Sequence, residues 1–185
     1  GTTWHAAGLV GQLHGSHAST EFAKYTVELL NTIEAETGQD PGYRESGSIS
    51  IATNPERLAE LKRKADFASL FDIEAHYLSS EEIERYWPLM NPEGVLGGIF
   101  MPRDGSANPI DLTMALAKGA RQHEAQLLEG VQVQQVLVEG TRAVGVVTDQ
   151  GTITAEVVVN CGGMWARALG QQHNVGVPLH ACEHY

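Results

Sequence analysis

The opening residues, Gly1-Thr2-Thr3-Trp4-His5-Ala6-Ala7-Gly8-Leu9-Val10-Gly11, put small residues, two hydroxyls and a Trp-His pair side by side. Glycine and alanine let a backbone approach a flat ligand closely. The hydroxyls of Thr2 and Thr3 are able to bond a phosphate or cap a helix. The neutral ring of His5 offers a nitrogen that acts as nucleophile or ligand. The same residues also fit a glycine-rich turn around a buried, hydrogen-bonded histidine.

Three later stretches carry chemistry-bearing types. Val157-Val158-Val159 is a continuous apolar run that stops at Asn160-Cys161-Gly162-Gly163. This pattern predicts a buried parallel strand, a glycine turn and a helix, where a ligand would lie against backbone amides. A tight strand-to-helix turn without a ligand fits equally. Arg103-Asp104-Gly105-Ser106-Ala107-Asn108-Pro109 reads as a loop entering a helix, with Asp104-Gly105 as the turn and Asn108 as the cap. In Glu183-His184-Tyr185, a histidine in a cavity would bind a carboxylate or tune an amine's proton; a structural histidine on a strand is the plainer alternative. Histidines 14, 17, 76, 123, 173 and 180 lack ligand spacing on a shared helix face and read as surface or loop. Cys161 reads as a small core residue.

The elements that must position these residues follow from periodicity. A helix is expected over 18–37, with Phe22, Tyr25, Leu29 and Ile33 on one face and Gly38 as the stop. A strand is expected over 43–53, then a helix from Asn54-Pro55 to about 70. A short strand at 74–78 precedes a capping box of Ser79 and Glu82, whose helix Pro88 ends. Another strand at 95–101 leads to a helix over 110–123, with Leu112, Leu116 and Ala120 on one face. Three short strands, 131–138, 143–148 and 152–155, form an antiparallel meander. The result is a mixed α/β (α+β) chain in which 41–105 looks inserted, with strands of its own.

Composition narrows the partners. The chain has 185 residues, of which 42% are hydrophobic and 19% charged, with a formal net charge of −11. Such acidity argues against nucleic acid or an anionic membrane surface. The dense basic run 57–64 is interleaved with Leu58, Glu60 and Leu61, as on the solvated face of an amphipathic helix. Two cysteines make no disulfide framework, and neither has metal-ligand spacing. No apolar run reaches the roughly 20 residues of a membrane span.

The motif GTTWHAAGLVG resembles the flavin-attachment segment of the dimethylglycine and sarcosine dehydrogenases, within the FAD-dependent D-amino-acid-oxidase-like superfamily. The resemblance recurs in order at GYRESGSISIAT, MPRDGSANPIDLTMALAKGAR, VVVNCGGMWARALG and VPLHACEHY, and so covers essentially the whole chain. It implies that His5 carries FAD covalently, through a ring nitrogen bonded to the 8α-methyl carbon, within a segment that includes Thr3, Trp4, Ala6 and Gly8. It further implies that Gly162, Gly163 and Trp165 lie along the FAD, although alanine is common where Gly162 stands, and that the backbone at Val133 approaches the adenine. His184 matches a pocket histidine; Tyr185 inherits no role. Arg44 and Arg103 are secondary candidates for the substrate carboxylate, and the family implies no catalysis by Asp104.

By the same resemblance, 1–40 and 106–175 belong to an FAD-binding dinucleotide fold that contains the meander. Residues 41–105 form a substrate-binding lobe, and 176–185 begin the return to it. The G-x-G-x-x-G turn that such a fold requires is absent; the family carries it upstream, so the chain reads as truncated at its N-terminus. The implied reaction is oxidation of the C–N bond of an N-methyl amino acid, dimethylglycine or sarcosine, by hydride transfer to the flavin. Oxygen or an electron-transfer flavoprotein would then take the electrons. A non-catalytic regulatory homologue and an amine oxidase with noncovalent FAD are the alternatives. The expected location is the cytoplasm or the mitochondrial matrix.

Overall fold

The fold is that of a computed structural model, described over residues 2–182. It divides into two units, Gly1–Gln126 and Leu127–Tyr185.

The first unit begins with a single 3-10 turn, Thr3–His5, and a two-residue strand β1, Leu9–Val10. Helix α1 spans His17–Thr37. The Ser16 hydroxyl accepts from Ser19 N at its start, and Gly38 N–H bonds Glu34 O at its end. Its buried face is Thr20, Val27, Leu30, Ile33 and Thr37. This differs from the expected face: Phe22 and Tyr25 are 74% and 63% exposed. The reason is register. Val27 and Leu30 pack with Tyr43 and Ala107, and that contact turns the aromatic pair outward. The Thr20 hydroxyl is satisfied by donating to Ser16 O at 2.9 Å.

An antiparallel sheet occupies the middle of the unit, ordered β2-β4-β3, with β2 Ser48–Ala52, β3 His76–Leu78 and β4 Gly97–Met101. Residues alternate across it. One face sets Ala52, Ile99 and Met101 against Leu61, Ala65 and Ala68 of α2, Pro55–Ala68. The other sets Ile49, Leu78 and Phe100 against Ile83 of α3, Ser80–Tyr86. Strand β2 is shorter than expected, because residues 43–47 belong to a separate bridge described below. Asn54 caps α2 by accepting from Arg57 N, with Pro55 in the first turn. The basic run is the exposed side of α2, where Arg57 pairs with Glu60 at 2.8 Å. The capping box of α3 is present in full. After β5, Gly105–Ser106, Asn108 caps α4, Pro109–Gln122, which packs on α1. On α4 the fully buried residue is Ala115, while Leu116 is about half exposed.

The second unit is the meander β6 Val133–Glu139, β7 Arg142–Thr148 and β8 Gly151–Thr154, antiparallel throughout. A 3-10 turn, Gly163–Trp165, leads into the short helix α5, Ala166–Gln171. Beyond α5, His173 Nε2 donates to Val136 O at 2.7 Å and Gln172 Nε2 to Gln134 O at 2.9 Å, tying this end of the unit to β6. The strand expected at 157–159 is not formed. Val157 and Val159 are 74% and 75% exposed, and the run pairs with no strand among the described residues. An apolar run becomes a strand only where a neighbour takes up its backbone groups. Cys161 is exposed as well, contrary to its expected place in the core. No helix among the described residues is long and apolar enough to cross a membrane.

Candidate functional site

Trp4 and His5 share the opening 3-10 turn, which is closed by His5 N→Thr2 O at 3.0 Å and Ala6 N→Thr3 O at 3.1 Å. Their ring centroids lie 3.7 Å apart, tilted by 32°. Both side chains are exposed, Trp4 at 63%. Neither ring nitrogen of His5 bonds any described residue. The buried, hydrogen-bonded histidine left open by the sequence is therefore not what forms. The Thr2 side chain makes no cap bond to the turn.

What fixes this turn lies just beyond it. Ala6 continues extended, and Gly8 takes a left-handed φ of +74°. A Cβ there would fall 2.2 Å from Ala107 O, so the small residue admits the protein's own backbone. Gly8 O accepts from Ala107 N at 2.8 Å, and β1 pairs with β5 as Leu9↔Ser106 and Val10↔Gly105. Arg44 bonds the other edge of Ser106 through both backbone groups, at 2.8 and 3.0 Å. The strand after Asp104 is thus flanked on both sides, by the opening segment and by residues 42–47.

Asp104 closes one end of this ribbon. Its carboxylate is buried and accepts from Gln12 N at 2.9 Å and from the Ser48 hydroxyl at 2.6 Å. Its carbonyl accepts from Gly47 N at 2.7 Å. Nearby, the Tyr43 hydroxyl donates to Arg103 O at 3.2 Å. Burial raises the phenol's pKa, and the charge of Glu45 adds to the effect. Arg44 and Arg103 face carboxylates already present in the chain: Asp40 at 3.4 Å and Glu45 at 3.7 Å. In the sequence Asp104 reads as a turn residue, and Gln12 and Ser48 carry no signal of their own. Asp-Gly is a turn signal wherever it occurs, whereas these partners lie 92 and 56 residues away in the chain.

In the second unit, Val133 is the first residue of β6, opposite Thr148. Gly162 N donates to Asn160 Oδ1 at 3.1 Å, and Asn160 Nδ2 donates to Ala166 O at 3.0 Å. The asparagine thereby shapes the turn into α5. A Cβ on Gly162 would crowd Asn160 and Ala166, whereas Gly163 has a φ of +54° and open space beside it. Trp165 is exposed. So Thr3, Trp4, His5, Ala6 and Gly8 gather on the first unit, and Val133, Gly162, Gly163 and Trp165 belong to the second. His184 lies outside the described residues. Chemically, the exposed and unbonded imidazole of His5 is available for attack on an electrophilic carbon.

Known proteins resemble the whole chain. It is 38% identical over 184 residues to 4-methylaminobutanoate oxidase (formaldehyde-forming) of Paenarthrobacter nicotinovorans, covering 100% of this chain and 22% of the relative. The identity to mitochondrial sarcosine dehydrogenase of Homo sapiens is 38%, over 100% of this chain and 21% of the relative. For mitochondrial dimethylglycine dehydrogenase of Rattus norvegicus it is 35%, over 100% and 22%. The mitochondrial pyruvate dehydrogenase phosphatase regulatory subunit of Mus musculus is 34% identical, over 100% and 21%. The chain therefore spans about a fifth of the length of these relatives. Among solved structures, L-proline dehydrogenase from P. horikoshii superposes with a TM-score of 0.86 at 27% identity, over 92% of this chain and 45% of that one. Glycine oxidase from Geobacillus kaustophilus gives 0.81 at 27%, over 95% and 49%. The FAD dependent oxidoreductase family matches across residues 1–185, and the chain belongs to it.

Proposed function

We propose that this chain is the part of an FAD-dependent oxidoreductase that carries the flavin covalently on His5, in an enzyme oxidising the C–N bond of an N-methyl amino acid of the dimethylglycine or sarcosine type. The observation that carries this reading is the His5 ring: exposed, tilted against Trp4 and with both nitrogens unbonded. The residues present fit the group. A ring nitrogen free of partners suits bonding to the flavin's 8α-methyl carbon; the C–H and N–H protons would be given up, the electron pair would pass to the flavin ring, and oxygen would reoxidise it, while the exposed Trp4 ring offers a flat apolar face next to His5. Gly163 leaves open space where a ligand would meet the turn into α5. Bound FAD would supply the two-electron oxidation.

The tasks left to the protein are attachment, orientation and recognition of the substrate carboxylate. Residues 41–105 serve as the substrate-binding lobe in this reading, and His184 is the candidate for the carboxylate. Arg44 and Arg103 are weaker candidates, since Asp40 and Glu45 already face them. Oxygen or an electron-transfer flavoprotein would accept the electrons, in the cytoplasm or the mitochondrial matrix. The substrate class rests on the relatives named for sarcosine, dimethylglycine and 4-methylaminobutanoate.

The test is acid precipitation of the full-length protein, wild type and His5→Ala, followed by flavin fluorescence of the pellet. Flavin that stays with the wild-type polypeptide and leaves the variant supports His5 as the attachment site. Release from both would remove the covalent bond and leave a noncovalent flavoenzyme. The regulatory-subunit relative favours one further reading, a non-catalytic homologue; absence of flavin from both proteins would select it.

A further inference from the structure

Asp104 is the one carboxylate among the buried side chains of the described residues, and no step of the proposed reaction uses it. Its bonds explain why it is buried. A carboxylate has two oxygens and accepts only. Here one oxygen takes the Gln12 amide and the other takes the Ser48 hydroxyl, at 2.9 and 2.6 Å. Gln12 ends the stretch that runs from His5 through Gly8 and β1. Ser48 begins β2, the strand at the edge of the central sheet. A turn residue would need neither bond. Between the His5 turn and helix α1, the other cross-chain ties are the bond of Gly8 O to Ala107 N, the two-residue pairing with Gly105–Ser106, and the packing of Val10 and Leu13 on buried apolar clusters. Apolar packing is non-directional and so short a strand fixes little register, so the Asp104 carboxylate adds the directional bonds that hold the segment in place.

We infer that Asp104 is a positioning residue: it locks the segment bearing His5 to the start of β2 and so presents the imidazole at a fixed place for flavin attachment. The attachment step rests on the reading of His5 given above; the locking does not.

Two readouts on the full-length protein separate these claims. The first is hydrogen exchange of the peptide covering residues 8–13. Asp104→Ala should speed its exchange by about tenfold, the loss of charge-assisted bonds of ordinary strength. Asp104→Asn should rescue it to within about threefold, because the amide oxygen still accepts from Gln12 and the amide nitrogen donates to Ser48. Peptides of α1 containing Val27 and Leu30 should not change. The second readout is the rate at which added FAD becomes acid-stable on the apoprotein, expected to fall by about tenfold in Asp104→Ala and to recover in Asp104→Asn. If Asp104→Ala does not fold, Ser48→Ala, which removes one of the two bonds, should speed exchange at 8–13 by about threefold. Wild-type exchange in Asp104→Ala, or in Ser48→Ala where that variant stands in, would overturn the proposal, as would failure of the asparagine variant to rescue. Wild-type protein without acid-stable flavin would defeat the attachment reading instead, and the exchange data would still decide whether Asp104 locks the segment.

Discussion

Gly8 is a place where a single added atom would do damage. Its positive φ alone makes a Cβ unfavourable by about 1–2 kcal/mol, and that Cβ would meet Ala107 O. Gly8→Ala is therefore expected to lower the melting temperature by roughly 4 °C or more. Gly15→Ala, with no positive φ and open space around it, should stay within about 0.5 kcal/mol of wild type. Parallel thermal melts check both. His5 differs in kind, since nothing in the fold depends on its ring. His5→Ala should leave the melt of the flavin-free protein unchanged, and its effect should appear in flavin retention. The motif that carries both residues was legible in sequence; that Gly8 serves the backbone and His5 faces solvent was not.

Among the elements, α1 gives the sharpest test of packing against periodicity. Leu30 is buried in the contact with Tyr43 and Ala107, so Leu30→Ala should cost about 2–5 kcal/mol. Phe22→Ser should change the stability of this chain by less than about 0.5 kcal/mol, because Phe22 is largely exposed. Denaturant titration distinguishes the two. Helix α3 depends on its cap instead, and Ser79→Ala should cost about 1 kcal/mol. Glu82 in the same box is held below its ordinary value of 4.5, first by the bond from Ser79 N–H. A carboxyl whose folded pKa is lowered contributes above its unfolded value and loses that contribution as pH falls through the folded one. The protection of the Ile83 amide, its exchange measured against the intrinsic rate at each pH, should accordingly fall below about pH 4.5, by a modest factor since Glu82 is exposed, and Glu82→Gln should remove this fall.

At the scale of the whole chain, burial is unequal. All three clusters of buried apolar residues among the described residues lie within Gly1–Gln126. The meander unit buries little beyond Ala166, Gly145 and Thr148. Apolar burial supplies most of the force that holds a fold, so β6–β8 should open more readily than β2–β4. Hydrogen exchange at low denaturant would show the meander amides exchanging first; equal protection of both units would contradict this.

The sequence by itself determined what neighbouring residues decide. Asn54-Pro55, Ser79 with Glu82, and Asn108-Pro109 start helices where expected, because a cap needs only the next three residues. The turns Gly140 and Gly151 set the meander for the same reason. The ordered motifs also carried the family. Tertiary structure decided whatever needs a partner far along the chain: which face of α1 is buried, whether 157–159 finds a strand to pair with, and that Asp104, which closes a turn on Met101 O, also holds Gln12 and Ser48. Hydrogen bonds and apolar contacts have no range along the sequence, and only the folded chain sets which distant groups meet.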